Sequence, residues 1–305
     1  MANRRGLGRR EVLVSAATAL AGLGVLGTGL ARRWADPSVA TPVVPGPTAT
    51  PVRPSPTPDH QAIARARLEK HLKEIGGRIG LAVRDQVTGL EVTVGTRRFQ
   101  TASIVKVDIL AALLLRRQTQ GGELSQTERQ LARSMIVASD NDAASSLWQT
   151  IGYRAGLTAA NRTLGLRATT PNPSWGMTTT TAADQLRLLA SIVTPGSPLT
   201  GDSRALLLGF MRQVRRDQRW GITAAAGPDS TASYVKNGWT TVDADQGRWL
   251  VNSVGRITEP GRDWLIAVLS DHHASQSAGI TVVEGVARYA LTELRRVPGS
   301  ATVPS

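Results

Sequence analysis

The chain contains no cysteine. Disulfides, thiolate nucleophiles and cysteine-ligated metal centres are therefore excluded, while the cellular compartment stays open. Histidine is nearly as scarce, with only His60, His71, His272 and His273. None has metal-site spacing, and the adjacent pair reads as a solvated turn after a strand. Neither a metal nor an organic cofactor is implied. Aromatic residues make up 4% of the 305 positions and hydrophobic residues 41%. Leu, Val, Ile and Ala must then fill a core that a chain of this length can build in one large domain.

Lysine is the most informative scarcity. Among 36 basic residues only Lys70, Lys73, Lys106 and Lys236 are lysines. The first two share one surface-like helix, so the other two need a reason. The net charge of +13 is carried mostly by arginines that are scattered rather than clustered with aromatics. This distribution argues against nucleic acid and for weak attraction to an anionic cell envelope.

Residues 1–31 read as a signal peptide or an N-terminal anchor. Arg9-Arg10 fits a twin-arginine export pattern. The apolar run 12–30 serves either a cleaved signal or membrane anchoring. Both imply an exported protein, whether extracellular, periplasmic or on the outer face of the cytoplasmic membrane. Residues 32–59, dense in Pro and Thr, form a linker. The folded domain is expected over 60–296, with a disordered tail at 297–305, and a monomer is expected.

Within 60–296 an amphipathic helix opens the domain, and two strands meet at Thr88-Gly89. Helical spacing follows over 103–117, 125–137, 142–151, 181–193 and 202–216. Strand patterns return at "TASYVKNGWT", "GRWLVNSVGRI" and "DWLIAVLSD", and a helix over 280–296 closes the domain. This order is not an alternating parallel-sheet pattern. It predicts an α+β fold: an antiparallel sheet flanked by helices, its first and last strands adjacent, with an all-helical subdomain.

Ser103 and Lys106 stand three apart at a predicted helix start, where they share a face. A serine hydroxyl needs a base to become a nucleophile. Lysine can serve once its pKa is lowered, and arginine cannot. A second Ser-x-x-Lys, Ser233 to Lys236, lies on a predicted strand, where those side chains face opposite ways. Ser139, Asp140 and Asn141 fall between two predicted helices. Lys236, Asn237 and Gly238 follow on the strand, where glycine permits close backbone approach.

Ser-x-x-Lys, Ser-Asp-Asn and Lys-Asn-Gly, in that order, resemble the motif set of class A β-lactamases and penicillin-binding proteins, with Asn237 where threonine is usual. The resemblance covers nearly all of 60–296. It implies that Ser103 attacks an amide carbonyl, with Lys106 as general base and Ser139 relaying a proton to the leaving nitrogen. It also implies that Asn141 holds the substrate and Lys106, and that Lys236 and Asn237 bind a carboxylate. The N–H groups of Ser103 and Trp239 would form the oxyanion hole. Class A enzymes add a glutamate on an omega-shaped loop for deacylation, but residues 143–183 hold no Asp or Glu. The expected activity is acyl-enzyme formation with a small β-lactam or related acyl amide, followed by slow deacylation. The alternatives are a D-Ala-D-Ala peptidase acting on cell-wall peptide, an esterase, or a non-catalytic envelope-binding module.

Overall fold

The computed structural model describes residues 59–298; the predicted signal or anchor and nearly all of the linker and tail lie outside them. Helix α1 (His60–Ile75) starts on Asp59, whose carboxylate accepts from the Ala62 N–H at 2.9 Å. Strands β1 (Arg78–Asp85) and β2 (Glu91–Val94) follow as a hairpin. A short β3 (Phe99–Gln100) leads into a 3₁₀ turn at Ala102–Ile104. The helical layer comprises α2 (Val105–Thr119), α3 (Gln126–Arg133), α4 (Asn141–Thr150) and α5 (Tyr153–Thr163). Strand β4 (Thr179–Thr180) pairs with β3, and α6 (Ala182–Val193) and α7 (Gly201–Arg212) come next. The chain ends in β5 (Ala232–Val242), β6 (Arg248–Glu259), β7 (Arg262–His273) and α8 (Gln276–Arg295).

The five long strands form one antiparallel sheet in the order β2-β1-β7-β6-β5. The first strand, β1, does pair with the last, β7, from Arg78 opposite Asp271 to Asp85 opposite Trp264. Strand β7 is buried continuously from Trp264 to Ser270, as a central strand covered on both faces must be. Helices α8 and α6 both pack on it. Strand β5 lies at the sheet edge, so its outer side is free to border a site.

Helix α2 is buried along its whole first part, Val105 to Leu114. An apolar helix of this kind belongs at the centre of a layer, yet it carries Lys106 and Asp108 into that interior. Several sequence boundaries move. The 125–137 pattern splits into α3 and a π-helical turn at Ser134–Ala138. Helix α5 escaped the sequence reading because it buries only Leu157, Ala160 and Asn161, too few for a clear stripe. Helix α8 starts at Gln276 rather than 280, because Gly279 reads as a breaker. A Cβ there would lie 2.3 Å from Val251 Cγ2, so the glycine lets the helix press onto β6.

Candidate active site

The site begins at the turn before α2. Thr101 is anchored by its N–H to the Thr178 carbonyl at 2.8 Å, and the Asn252 amide donates to the Thr101 carbonyl at 3.2 Å. Ala102 then takes a positive φ of 44°, a conformation that costs a residue with a Cβ about 1–2 kcal/mol. Ser103, half-buried, follows inside the 3₁₀ turn rather than in the helix proper. Gly238 on β5 presses against this turn. A Cβ on it would lie 2.8 Å from the Ser103 and Ile104 nitrogens and 2.7 Å from the Thr101 oxygen. Glycine is the one residue that lets the edge strand meet the turn so closely.

Lys106 is fully buried one turn further on. Its Nζ donates to the Ser139 carbonyl at 2.6 Å, to Asn141 Oδ1 at 2.7 Å and to Ser139 Oγ at 3.2 Å. Those three acceptors use its three protons. The direct Ser103–Lys106 contact expected from helical spacing is not among the hydrogen bonds of the described residues, because Ser103 sits in the tighter 3₁₀ turn and the ammonium is drawn to Ser139 and Asn141. Burial lowers the Lys106 pKa to about 8, against the opposing pull of the Asp140 carboxylate.

Ser139 closes the π-helical turn with a left-handed φ of 57°. Insertions of this kind recur where a helix must deliver a side chain out of register. Lys236, also fully buried, reaches the same hydroxyl from β5, with Nζ 2.9 Å from Ser139 Oγ and 2.9 Å from the Asn237 carbonyl. Burial, then the charge of Lys106, holds the Lys236 pKa well below the ordinary lysine range. Two lysine amines thus converge on one hydroxyl, and the charge of Lys106 makes Lys236 easier to deprotonate. Ser233 is turned away and accepts from the Arg219 guanidinium at 2.7 Å.

A family model described as the beta-lactamase enzyme family matches residues 118–294. The chain belongs to that family. The match includes Ser139 and Lys236 and starts beyond Lys106. Over 223 residues the chain is 29% identical to a protein named as a lipoprotein, LppW, from Mycobacterium tuberculosis and Mycobacterium bovis, covering 70% of this chain and 69% of the relative. Solved structures share the fold at lower identity. TLA-1 extended-spectrum β-lactamase superposes with a TM-score of 0.69 at 16% identity, covering 77% of this chain and 99% of that one. A PBP-A variant in an acyl-enzyme complex with penicillin G gives 0.67 at 19%, covering 77% and 97%. A class A β-lactamase from Mycobacterium abscessus gives 0.62 at 23%, covering 76% and 99%. The architecture is the serine β-lactamase and transpeptidase-like one.

Three further features shape the site. The first corrects an expectation: Asn237 does not offer its amide to the cleft. Both its N–H groups donate to backbone carbonyls, Gln218 at 2.8 Å and Trp220 at 2.9 Å, and its Oδ1 is buried without a partner. The amide reaches into the segment that follows α7. Second, Trp175 covers Lys106, its ring centroid 4.9 Å from Nζ and its Nε1 3.3 Å from Ser145 Oγ. Third, Trp239 meets Trp220 edge to face at 5.5 Å.

Sequence reasoning did not single out Trp175, Asn252 or Asp184. Asp184 is fully buried and accepts from the Arg167 and Ala168 N–H groups and from Thr169 Oγ1, at 3.2, 2.6 and 2.8 Å, fastening the loop that leads to Trp175. The available signal was its place as the first carboxylate after the acid-free stretch 143–183. Asp140 caps α4 through the Ala143 N–H at 2.8 Å and accepts from Ser134 Oγ at 3.1 Å. His272 pairs with Asp245 at 2.8 Å, and His273 meets Ser270 Oγ at 2.9 Å. No group of three His, Asp or Glu among the described residues is placed to hold a metal ion.

Proposed function

We propose that this protein is an exported serine hydrolase that forms an acyl-enzyme on Ser103 with β-lactams or related acyl amides and releases the acyl group slowly. The observation that carries the reading is the convergence of Lys106 and Lys236 on Ser139 Oγ, at 3.2 and 2.9 Å, beside a serine turn against which Gly238 packs. A neutral Lys106 accepts the Ser103 proton as Oγ attacks the carbonyl carbon. Ser139 then passes a proton to the leaving nitrogen, drawing on either lysine. The Ser103 nitrogen lies close to Gly238 on β5, and its N–H with that of Trp239 would receive the oxyanion.

Slow release follows from what surrounds the acyl group. The loop 164–178 supplies no carboxylate, and the Trp175 indole fills the space over Lys106. Asp140 is committed to its cap and to Ser134. Losing a general base commonly costs on the order of 10²–10⁴ in rate. The PBP-A variant solved as an acyl-enzyme complex with penicillin G is a precedent for serine acylation on this fold. The lipoprotein name of the mycobacterial relative agrees with an envelope location. This chain has no cysteine to carry a sulfur-linked lipid, and the apolar run 12–30 is the segment that would serve as an anchor. Among the described residues no helix is long and apolar enough to cross a membrane.

Intact-mass spectrometry of the full chain during and after exposure to benzylpenicillin tests the reading. A persistent adduct that maps to Ser103 and is missing from Ser103→Ala is expected. An adduct that turns over within seconds would refute slow release, and labelling that survives in Ser103→Ala would refute the nucleophile.

A further inference from the structure

Helix α5 and the turn after it expose three cations and no anion. The inner side of the helix buries Leu157, Ala160 and Asn161. Arg154, Thr158 and Arg162 stand four apart and so form one ridge. Both arginines are exposed, as is Arg167 just past the helix end. Among the described residues no carboxylate comes within ion-pair distance of these three guanidinium groups. Residues 143–183 hold no Asp or Glu at all. Like charges on one face repel, so the face gains from an anion that the protein does not supply. Two hollows of about 600 and about 590 Å³ adjoin the ridge, and both have Thr158 and Arg162 in their walls. Arg154 lines the first and Arg167 the second, and no Asp or Glu lines either. The first also takes in Pro173, two residues before the Trp175 that covers Lys106. The groove therefore runs up to the loop beside the serine site.

At 1.5 Å per residue Arg154 and Arg162 stand about 12 Å apart along the helix, too far for one small anion to bridge. A strand charged at intervals meets both, and Arg167 after them. Each guanidinium is a fork that pairs with two oxygens of one phosphate. Gly152, Ala155, Ala159 and Gly165 lie among the arginines in the walls of the hollows. Such small residues let a strand lie flat against the protein, which suits a polymer whose charge sits in its own backbone. We infer that this face is a docking groove for a phosphodiester polymer of the cell envelope, gripped by Arg154, Arg162 and Arg167. This docking depends on the proposed function only for an extracytoplasmic location and not for the Ser103 chemistry.

Fluorescence anisotropy of labelled poly(glycerol phosphate) with the full chain, at several salt concentrations, tests the groove. The triple variant Arg154→Gln, Arg162→Gln, Arg167→Gln should bind at least about tenfold more weakly, and with a flatter salt dependence, because three ionic contacts are gone. The triple variant Arg133→Gln, Arg212→Gln, Arg216→Gln removes the same charge from exposed arginines outside α5. It should bind within about twofold of the parent, since distant charges are screened. Equal weakening in the two variants overturns the groove and leaves only attraction by net charge. A parent that does not bind, or a first variant that binds as the parent does, overturns it as well. Tighter binding of polyglutamate of equal charge, or of single-stranded DNA, overturns the envelope phosphodiester as the occupant. Anisotropy reads binding without acylation, so failure here leaves the Ser103 adduct expected above untouched, and absence of that adduct leaves the groove standing.

Discussion

Lys106 holds three acceptors within 3.2 Å and so, as an ammonium, has no lone pair for the Ser103 proton. On the proposed mechanism it loses a proton before acylation, and burial makes that loss accessible by lowering the pKa to about 8. Acylation of Ser103 should therefore accelerate as pH rises from 6 and level off just above 8, which rapid-quench mass spectrometry across that range would reveal. Lys106→Arg keeps the charge but cannot surrender a proton near neutrality. Its acylation rate should fall by about 10²–10⁴ and lose the rise toward pH 8. A variant that retained the rise would assign the titration to another group, Lys236 foremost.

Helix α2 and strand β5 do work that no single residue can. Two residues past Lys106, α2 buries Asp108 against Asp184 and Asn161, with the amide nitrogen of Asn161 2.9 Å from Asp108 Oδ1 when oriented to donate. Burial, then the Asp184 charge, raises the Asp108 pKa to about 8 from 3.8. Between those values the folded chain holds a proton that the unfolded chain has released, so this group makes stability fall as pH rises from about 4 to about 8. Asp108→Asn, which cannot ionise, should melt at least about 3 °C above the parent at pH 8 and show no such advantage at pH 4. On β5 the limit is steric. Gly238→Ala must push backbone apart at contacts of 2.7–2.8 Å. We expect about 1–3 kcal/mol of lost stability in urea unfolding, together with loss of Ser103 acylation. A fully active alanine variant would mean that the turn and the strand are not held together as described.

The molecule as a whole carries a net charge of +13, enough to draw it to an anionic surface through long-range attraction that salt screens. The full chain should co-sediment with vesicles of anionic lipid at about 20 mM salt and be released several-fold by about 300 mM. Retention at the higher salt would point instead to insertion of the apolar run 12–30. At this scale, too, the sequence order already contained the architecture. Two strands, a helical block, three strands and a closing helix can close into one sheet when β1 returns to β7, as their pairing shows.

The groups that gather at the site were legible in the residues themselves. Lysines at 106 and 236 stand out in an arginine-rich chain, and the structure buries both. A glycine after Lys236-Asn237 marks a close approach whatever the partner. Local order also yields the fold class, since strand and helix periods are properties of short segments. What contacts Lys106 and Asn237 was decided elsewhere in the chain. Trp175 arrives from a loop fastened by Asp184, and the Gln218 and Trp220 carbonyls arrive from the segment after α7. A hydrogen bond or an ammonium–indole contact depends on positions good to a few tenths of an ångström between segments dozens of residues apart. Sequence states which groups are present, and only packing decides which of them meet.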